Sequence, residues 1–155
     1  MRLSPSRRAA LCLSPLALGA LLALFGDKTV RDNAQDLTSP LGGVVRLFPS
    51  RDPEHGGYEA PAAPVYTEHG SSPILFAKGL RSPWMGFLDD HGRVILGDVG
   101  QATHEEINVI TAPGQNFGWP VHEGPCNSGC GTFVNPVRTW NRSESHRFVA
   151  DDRSE

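Results

Sequence analysis

The sequence is poor in three things: cysteine, of which there are three; surplus charge, at a net −3; and long helical periodicity. A near-neutral, slightly acidic balance argues against a nucleic-acid partner, because phosphate binding needs a concentrated basic face. No long amphipathic helical pattern follows Phe25. What is present instead is punctuation: 17 glycines and 13 prolines, which suit short strands and many turns. Apolar residues at 39% and charged residues at 20% mark a globular chain, neither disordered nor collagenous. The length of 155 residues suits one domain.

Arg2, Arg7 and Arg8 precede an apolar run from Ala9 to Phe25, and residues 1–26 contain no acid. A basic start followed by such a run reads as a secretory signal. The run is short and interrupted by Pro15, so no stable membrane span is expected. No clean small-x-small cleavage step stands between Ala20 and Lys28, which leaves an uncleaved anchor or a misplaced start codon as the other readings. The expected organisation is a signal-like leader over residues 1–25, a folded part over 26–150 and a tail over 151–155. The expected location is periplasmic or extracellular, free or held to a membrane by the leader.

Cys12 lies in the apolar run, whereas Cys126 and Cys130 lie in the stretch GPCNSGCG. Two cysteines on a Gly-rich loop can close a small disulfide in an oxidising compartment, with free thiols as the alternative. Half of a zinc site is the weaker reading: His122 adds one ligand, but no second Cys/His pair with ligand spacing follows.

Short β-like runs follow the leader. Gly43 to Phe48 and Ile74 to Lys78 are rich in apolar and β-branched residues. Met85 to Leu88 and Arg93 to Leu96 flank Asp89-Asp90-His91-Gly92, a hairpin turn in which Gly92 can take positive φ. Glu106 to Ile110 alternates polar and apolar residues, as a half-buried strand does. Ser50 to Ser72 reads as a long surface excursion. Strands at this spacing suggest a sandwich, barrel or propeller. A propeller blade takes about 40–45 residues, so the folded part would make fewer than three blades and leave open sheet edges.

The stretch Gly79 to Gly124 carries a series of ordered motifs. They are Gly79-Leu80-Arg81-Ser82-Pro83, Gly97-Asp98-Val99-Gly100-Gln101, Glu105-Glu106-Ile107-Asn108 and Gly114-Gln115-Asn116-Phe117-Gly118-Trp119-Pro120. Upstream stand Ala34-Gln35-Asp36-Leu37 and Leu41-Gly42-Gly43-Val44-Val45-Arg46-Leu47. In this order they resemble the glucose/sorbosone dehydrogenase family, the soluble sugar dehydrogenases that use pyrroloquinoline quinone (PQQ), and their relatives similar to hedgehog-interacting protein. The resemblance implies an all-β fold, here a partial six-bladed β-propeller of two to three blades. It also implies PQQ and Ca²⁺ as cofactors and hydride transfer from the C1 hydroxyl of a sugar or similar alcohol. That chemistry needs a base for the hydroxyl proton, a cation polarising the quinone carbonyl, and a fixed positive side chain beside the reduced quinone.

Arg81 matches the family arginine beside the cofactor and could hold negative charge with its planar fork of donors. Ser82 and Val99 stand at neighbouring cofactor positions. Ser82 replaces the family asparagine and offers one hydroxyl in place of an amide. Val99 and Gln101 depart from the glutamine and proline of the best-studied branch and agree better with the branch similar to hedgehog-interacting protein. The backbone carbonyls of Gly100 and Gln101 match the loop that reaches calcium, a hard ion that takes oxygen ligands. An ordinary strand-end turn is the competing reading of Asp98-Val99-Gly100. Glu105 and Glu106 are neighbours on a strand and so face opposite ways, which favours structural roles. Trp119 is expected between blades, and His104 and His122 in exposed loops.

No catalytic residue is assigned. The family's general-base histidine precedes a strand ending in Gly-Asp, matched here by Gly26-Asp27, but no histidine occurs before His55. The expectation is a piece of a secreted quinoprotein with little activity by itself. The alternatives are a non-catalytic binding module of the hedgehog-interacting type, and a small β domain that closes by oligomerisation through its open edges.

Overall fold

A computed structural model describes residues 19–50, 54 and 57–143. Over these described residues the architecture is all-β: eight strands in two antiparallel sheets, with one 3₁₀ turn at Arg31–Gln35. In the first sheet β2 (Gly43–Pro49) is central. It pairs with β1 (Leu21–Phe25) on one side, from Leu21↔Leu47 to Phe25↔Gly43, and with β4 (Leu75–Lys78) on the other. The two-residue β3 (Tyr58–Glu59) pairs with the far end of β2 at Phe48 and Pro49. The second sheet is a meander of β5 (Pro83–Leu88), β6 (Val94–Asp98), β7 (His104–Ile110) and β8 (Arg138–Asn141).

Val44 and Val45 suit the extended backbone because branching at Cβ restricts χ1 and packs well on a pleated surface. Both are almost fully buried. The turn between β5 and β6 is set by Asp89 and Gly92. Asp89 Oδ1 accepts the N–H groups of His91 and Arg93 at 2.9 and 2.8 Å, and Gly92 takes φ +75°. Register pairs Val94 with Ile110, Leu96 with Asn108 and Asp98 with Glu106, so these side chains share one face of the second sheet. That face meets the first sheet in a core of Val44, Phe76, Ala77, Leu80, Val94, Leu96, Ile110 and Phe117. Full burial of each large aliphatic member stabilises the fold by about 1.5–3 kcal/mol.

Two expectations change. The leader was expected to reach Phe25, but Leu21–Phe25 form β1. The alternating apolar residues Leu22 and Leu24 pack against the core, and β2 supplies a partner strand for the whole segment. The rest of the expected leader, residues 1–18, lies outside the described residues, as does the expected tail 151–155. His104 and His122 are half-buried rather than exposed. His104 opens β7 beneath Gly124, and the His122 ring stands edge-on to Phe133 at 5.4 Å. Among the described residues no helix is long and apolar enough to cross a membrane.

Candidate functional site

One end of the two sheets gathers the chain after β1, the residues leading into β5, the loop leaving β6 and the turn around Trp119. Asp98, the last residue of β6, is 5% exposed. Its Oδ2 accepts the Arg81 N–H at 2.9 Å and its Oδ1 the Ser82 N–H at 2.6 Å, which fixes the entry to β5. Burial pushes the Asp98 carboxyl up to about 7; the Arg81 and Ser82 N–H groups oppose that rise, Glu106 on the same face adds to it, and the Arg81 charge opposes it weakly.

Arg81 turns its guanidinium toward the loop leaving β6. Nη1 donates to the carbonyls of Val99 at 2.9 Å and Gly100 at 2.7 Å. Arg142 reaches the same loop from beyond β8: its Nη1 donates to Gly100 O at 2.5 Å and to Gln101 O at 3.1 Å. Its Nε pairs with Glu105 at 3.3 Å, and the other oxygen of Glu105 accepts the Gly100 N–H at 3.0 Å. Gly100 must be glycine, since a Cβ there would overlap the His104 carbonyl oxygen.

Glu123 closes the loop from a third side. Its Oε1 accepts four successive N–H groups, from Gln101, Ala102, Thr103 and His104, at 2.6, 2.8, 3.0 and 3.3 Å. Burial works to raise this carboxyl, but the N–H groups outweigh burial and hold it below the ordinary glutamate value.

Trp119 is 5% exposed, and its Nε1 donates to Asp27 Oδ2 at 2.9 Å. Asp27 follows β1, and its N–H donates to the Arg81 carbonyl at 2.8 Å. The guanidinium groups of Arg31 and Arg81 lie 4.8 and 5.8 Å from the Trp119 ring centroid. An amide pair backs this wall: Asn116 donates to Gln35 Oε1 at 2.8 Å, and Gln35 donates to Asn116 Oδ1 at 3.1 Å.

The structure therefore brings together Arg81, Ser82, Val99, Gly100 and Gln101. Glu105 and Glu106 serve different partners, because Glu106 accepts from Gly124 N–H and Asn108 on the opposite face. Cys126 and Cys130 are disulfide-bonded away from this loop, with Cys126 Sγ 3.5 Å from His122 Nε2. Sequence reasoning gave no role to Arg142, Glu123 or Asp27. The Gly26-Asp27 step and the Glu123-Gly124 step were the available signals, while Arg142 offered none.

Comparison with known proteins identifies the family. The family profile described as Glucose / Sorbosone dehydrogenase matches residues 10–145. The chain superimposes on the PQQ-bound aldose sugar dehydrogenase of Streptomyces coelicolor with a TM-score of 0.62 and 30% identity, over 79% of this chain and 32% of that one. It superimposes on the apo soluble aldose sugar dehydrogenase of Escherichia coli with a TM-score of 0.64 and 28% identity, over 79% of this chain and 37% of that one. It is 35% identical to the HIPL1 protein of Arabidopsis thaliana across 72% of this chain and 19% of that protein. The chain thus spans about a third of the solved dehydrogenases and a fifth of the plant relative. Its two sheets are part of a β-propeller, and the chain belongs to the glucose/sorbosone dehydrogenase family.

Proposed function

We propose that this chain forms one wall of the quinone pocket of a secreted sugar dehydrogenase, in which the whole protein moves hydride from a sugar C1 hydroxyl to PQQ. The observation that carries the reading is Arg81. Its Nη1 is anchored on the Val99 and Gly100 carbonyls, and no carboxylate among the described residues lies within ion-pairing distance of its guanidinium. A held guanidinium with spare donors suits an anionic carboxylated quinone. Arg31, on the same Trp119 ring, adds positive charge nearby. When bound, the quinone supplies the hydride acceptor. Arg81 would hold its negative charge, with Ser82 and Val99 alongside, and Trp119 with Asp27 would keep that wall rigid.

Calcium fits less well. The Val99, Gly100 and Gln101 carbonyls already accept guanidinium N–H groups, and no reaction step is routed through a metal. The proton acceptor is not evident on this wall. His91 lies near Asp89, His104 contacts Thr103 and His122 contacts Phe133 and Cys126. Little turnover by this chain alone follows. Secretion accords with the disulfide, which persists in oxidising compartments. The bare outer face of the second sheet supports self-association as part of the same reading, since Met85 and Phe87 stand open there.

A second reading, taken from the motif resemblance to relatives similar to hedgehog-interacting protein, is a propeller module that binds without catalysis. Titration with PQQ, followed by quenching of tryptophan fluorescence, separates the two. The dehydrogenase reading expects saturable binding, at least tenfold weaker in Arg81→Met. No saturation, or equal binding by Arg81→Met, rejects it.

A further inference from the structure

The geometry points to a pair of arginines, Arg81 and Arg142, doing in this loop the work that the family resemblance gives to a calcium ion. Four hydrogen bonds from the two guanidinium groups run to three successive carbonyls. Val99 O takes one, Gly100 O takes two and Gln101 O takes one. A carbonyl oxygen has two lone pairs, so Gly100 is saturated. Calcium takes six to eight oxygens at about 2.3–2.6 Å, and an ion placed there would have to displace both arginines or sit against their charge.

The acidic groups around the loop are engaged in the same arrangement. Glu105 spans Arg142 and the Gly100 N–H, and Glu123 Oε1 collects the N–H groups of residues 101–104. Carbonyls meet guanidinium, N–H groups meet carboxylates, and the loop is neutralised by its own chain. Arg142 is thus a positioning residue: it acts on the Gly100 carbonyl, which in turn anchors Arg81.

This inference rests on the family reading for where a metal would be sought, but not on quinone binding, which the PQQ titration reads separately. The test is thermal unfolding of the full chain in EDTA and in millimolar calcium. The two midpoints should agree within about 1 °C, whereas calcium at about a hundred times its dissociation constant would raise the midpoint by about 5–10 °C. Arg142→Met should lower the midpoint by about 3–6 °C in both media, by removing one donor to the part-buried Gly100 carbonyl, the donor to Gln101 O and the ion pair with Glu105. Should that variant not fold, Arg142→Lys carries the reading. It keeps the charge but loses the fork, and a fall of about 2–4 °C is expected. A calcium-dependent rise in the unmodified protein, or a lysine variant as stable as the parent, overturns the inference.

Discussion

At one end of the second sheet the backbone of residues 99–104 is supplied with partners by Arg81, Arg142, Glu105 and Glu123. Across the outer face of the same sheet, Met85 and Phe87 stand 72% and 62% exposed, above Ile95 and Ile107, with Trp84 at 79% nearby. The polar end is complete in itself, because every interaction that orders it comes from within about 45 residues of the loop or from the loop itself. The apolar face differs, because its large side chains Trp84, Met85 and Phe87 stand open to solvent. A polar loop can therefore be ordered by nearby side chains even where the sheet that carries it still exposes apolar surface.

The contrast can be broken from either side. The largest effect is expected at the core both regions share: Leu96→Ala, at a site 1% exposed, should cost about 2–5 kcal/mol in denaturant unfolding. Glu123→Ala should cost about 1 kcal/mol, because it removes a charged acceptor shared by four N–H groups, three of them in exposed residues that water can reach. A double Met85→Lys, Phe87→Lys change should alter monomer stability by about 0.5 kcal/mol or less. Size-exclusion chromatography should nonetheless show self-association reduced, and unchanged elution would separate the apolar face from any role in assembly.

Two carboxylates, the buried Asp98 and the half-buried Glu123, sharpen the comparison through pH. Glu123 is held below its ordinary value, so its contribution is complete above the unfolded glutamate value near 4.5 and is lost as pH falls through its lowered folded value. Asp98 runs the other way. Its folded pKa of about 7 stands above the unfolded 3.8, so stability should fall as pH rises between those values and level off above. Unfolding measured from pH 3 to 8 (about five units, spanning both windows) should show Asp98→Asn flattening the upper slope and Glu123→Gln flattening the lower one.

Much of the fold was legible because β2, β4, β5, β6 and β7 carry their own apolar or alternating pattern and the Asp89–Gly92 turn carries its chemistry. β1 was not, because Leu-Leu-Ala-Leu-Phe after a basic start satisfies the pattern of a secretory leader equally well. What decides it is a partner strand twenty residues later, from Leu47 back to Gly43. The Gly26-Asp27 step marked the end of that strand and could have settled the boundary. β3 is two residues long, and β8 (Arg-Thr-Trp-Asn) has almost no apolar signal, so pairing alone defines them. Arg81 could be singled out only through the family motif around it. Arg142 meets Gly100 across 42 positions of sequence, a tertiary encounter that no local pattern announces. His104 and His122 were misjudged as exposed because tight packing beneath Gly124 and beside Phe133 is likewise tertiary.

Amide hydrogen exchange at Gly100 to His104, recorded in EDTA and again with calcium, tests most directly whether the chain's own side chains preassemble this wall. Slow exchange in EDTA, unchanged by calcium and lost in Glu123→Ala, is the predicted result. Exchange at unstructured-chain rates in EDTA, slowing only when calcium is added, would contradict it.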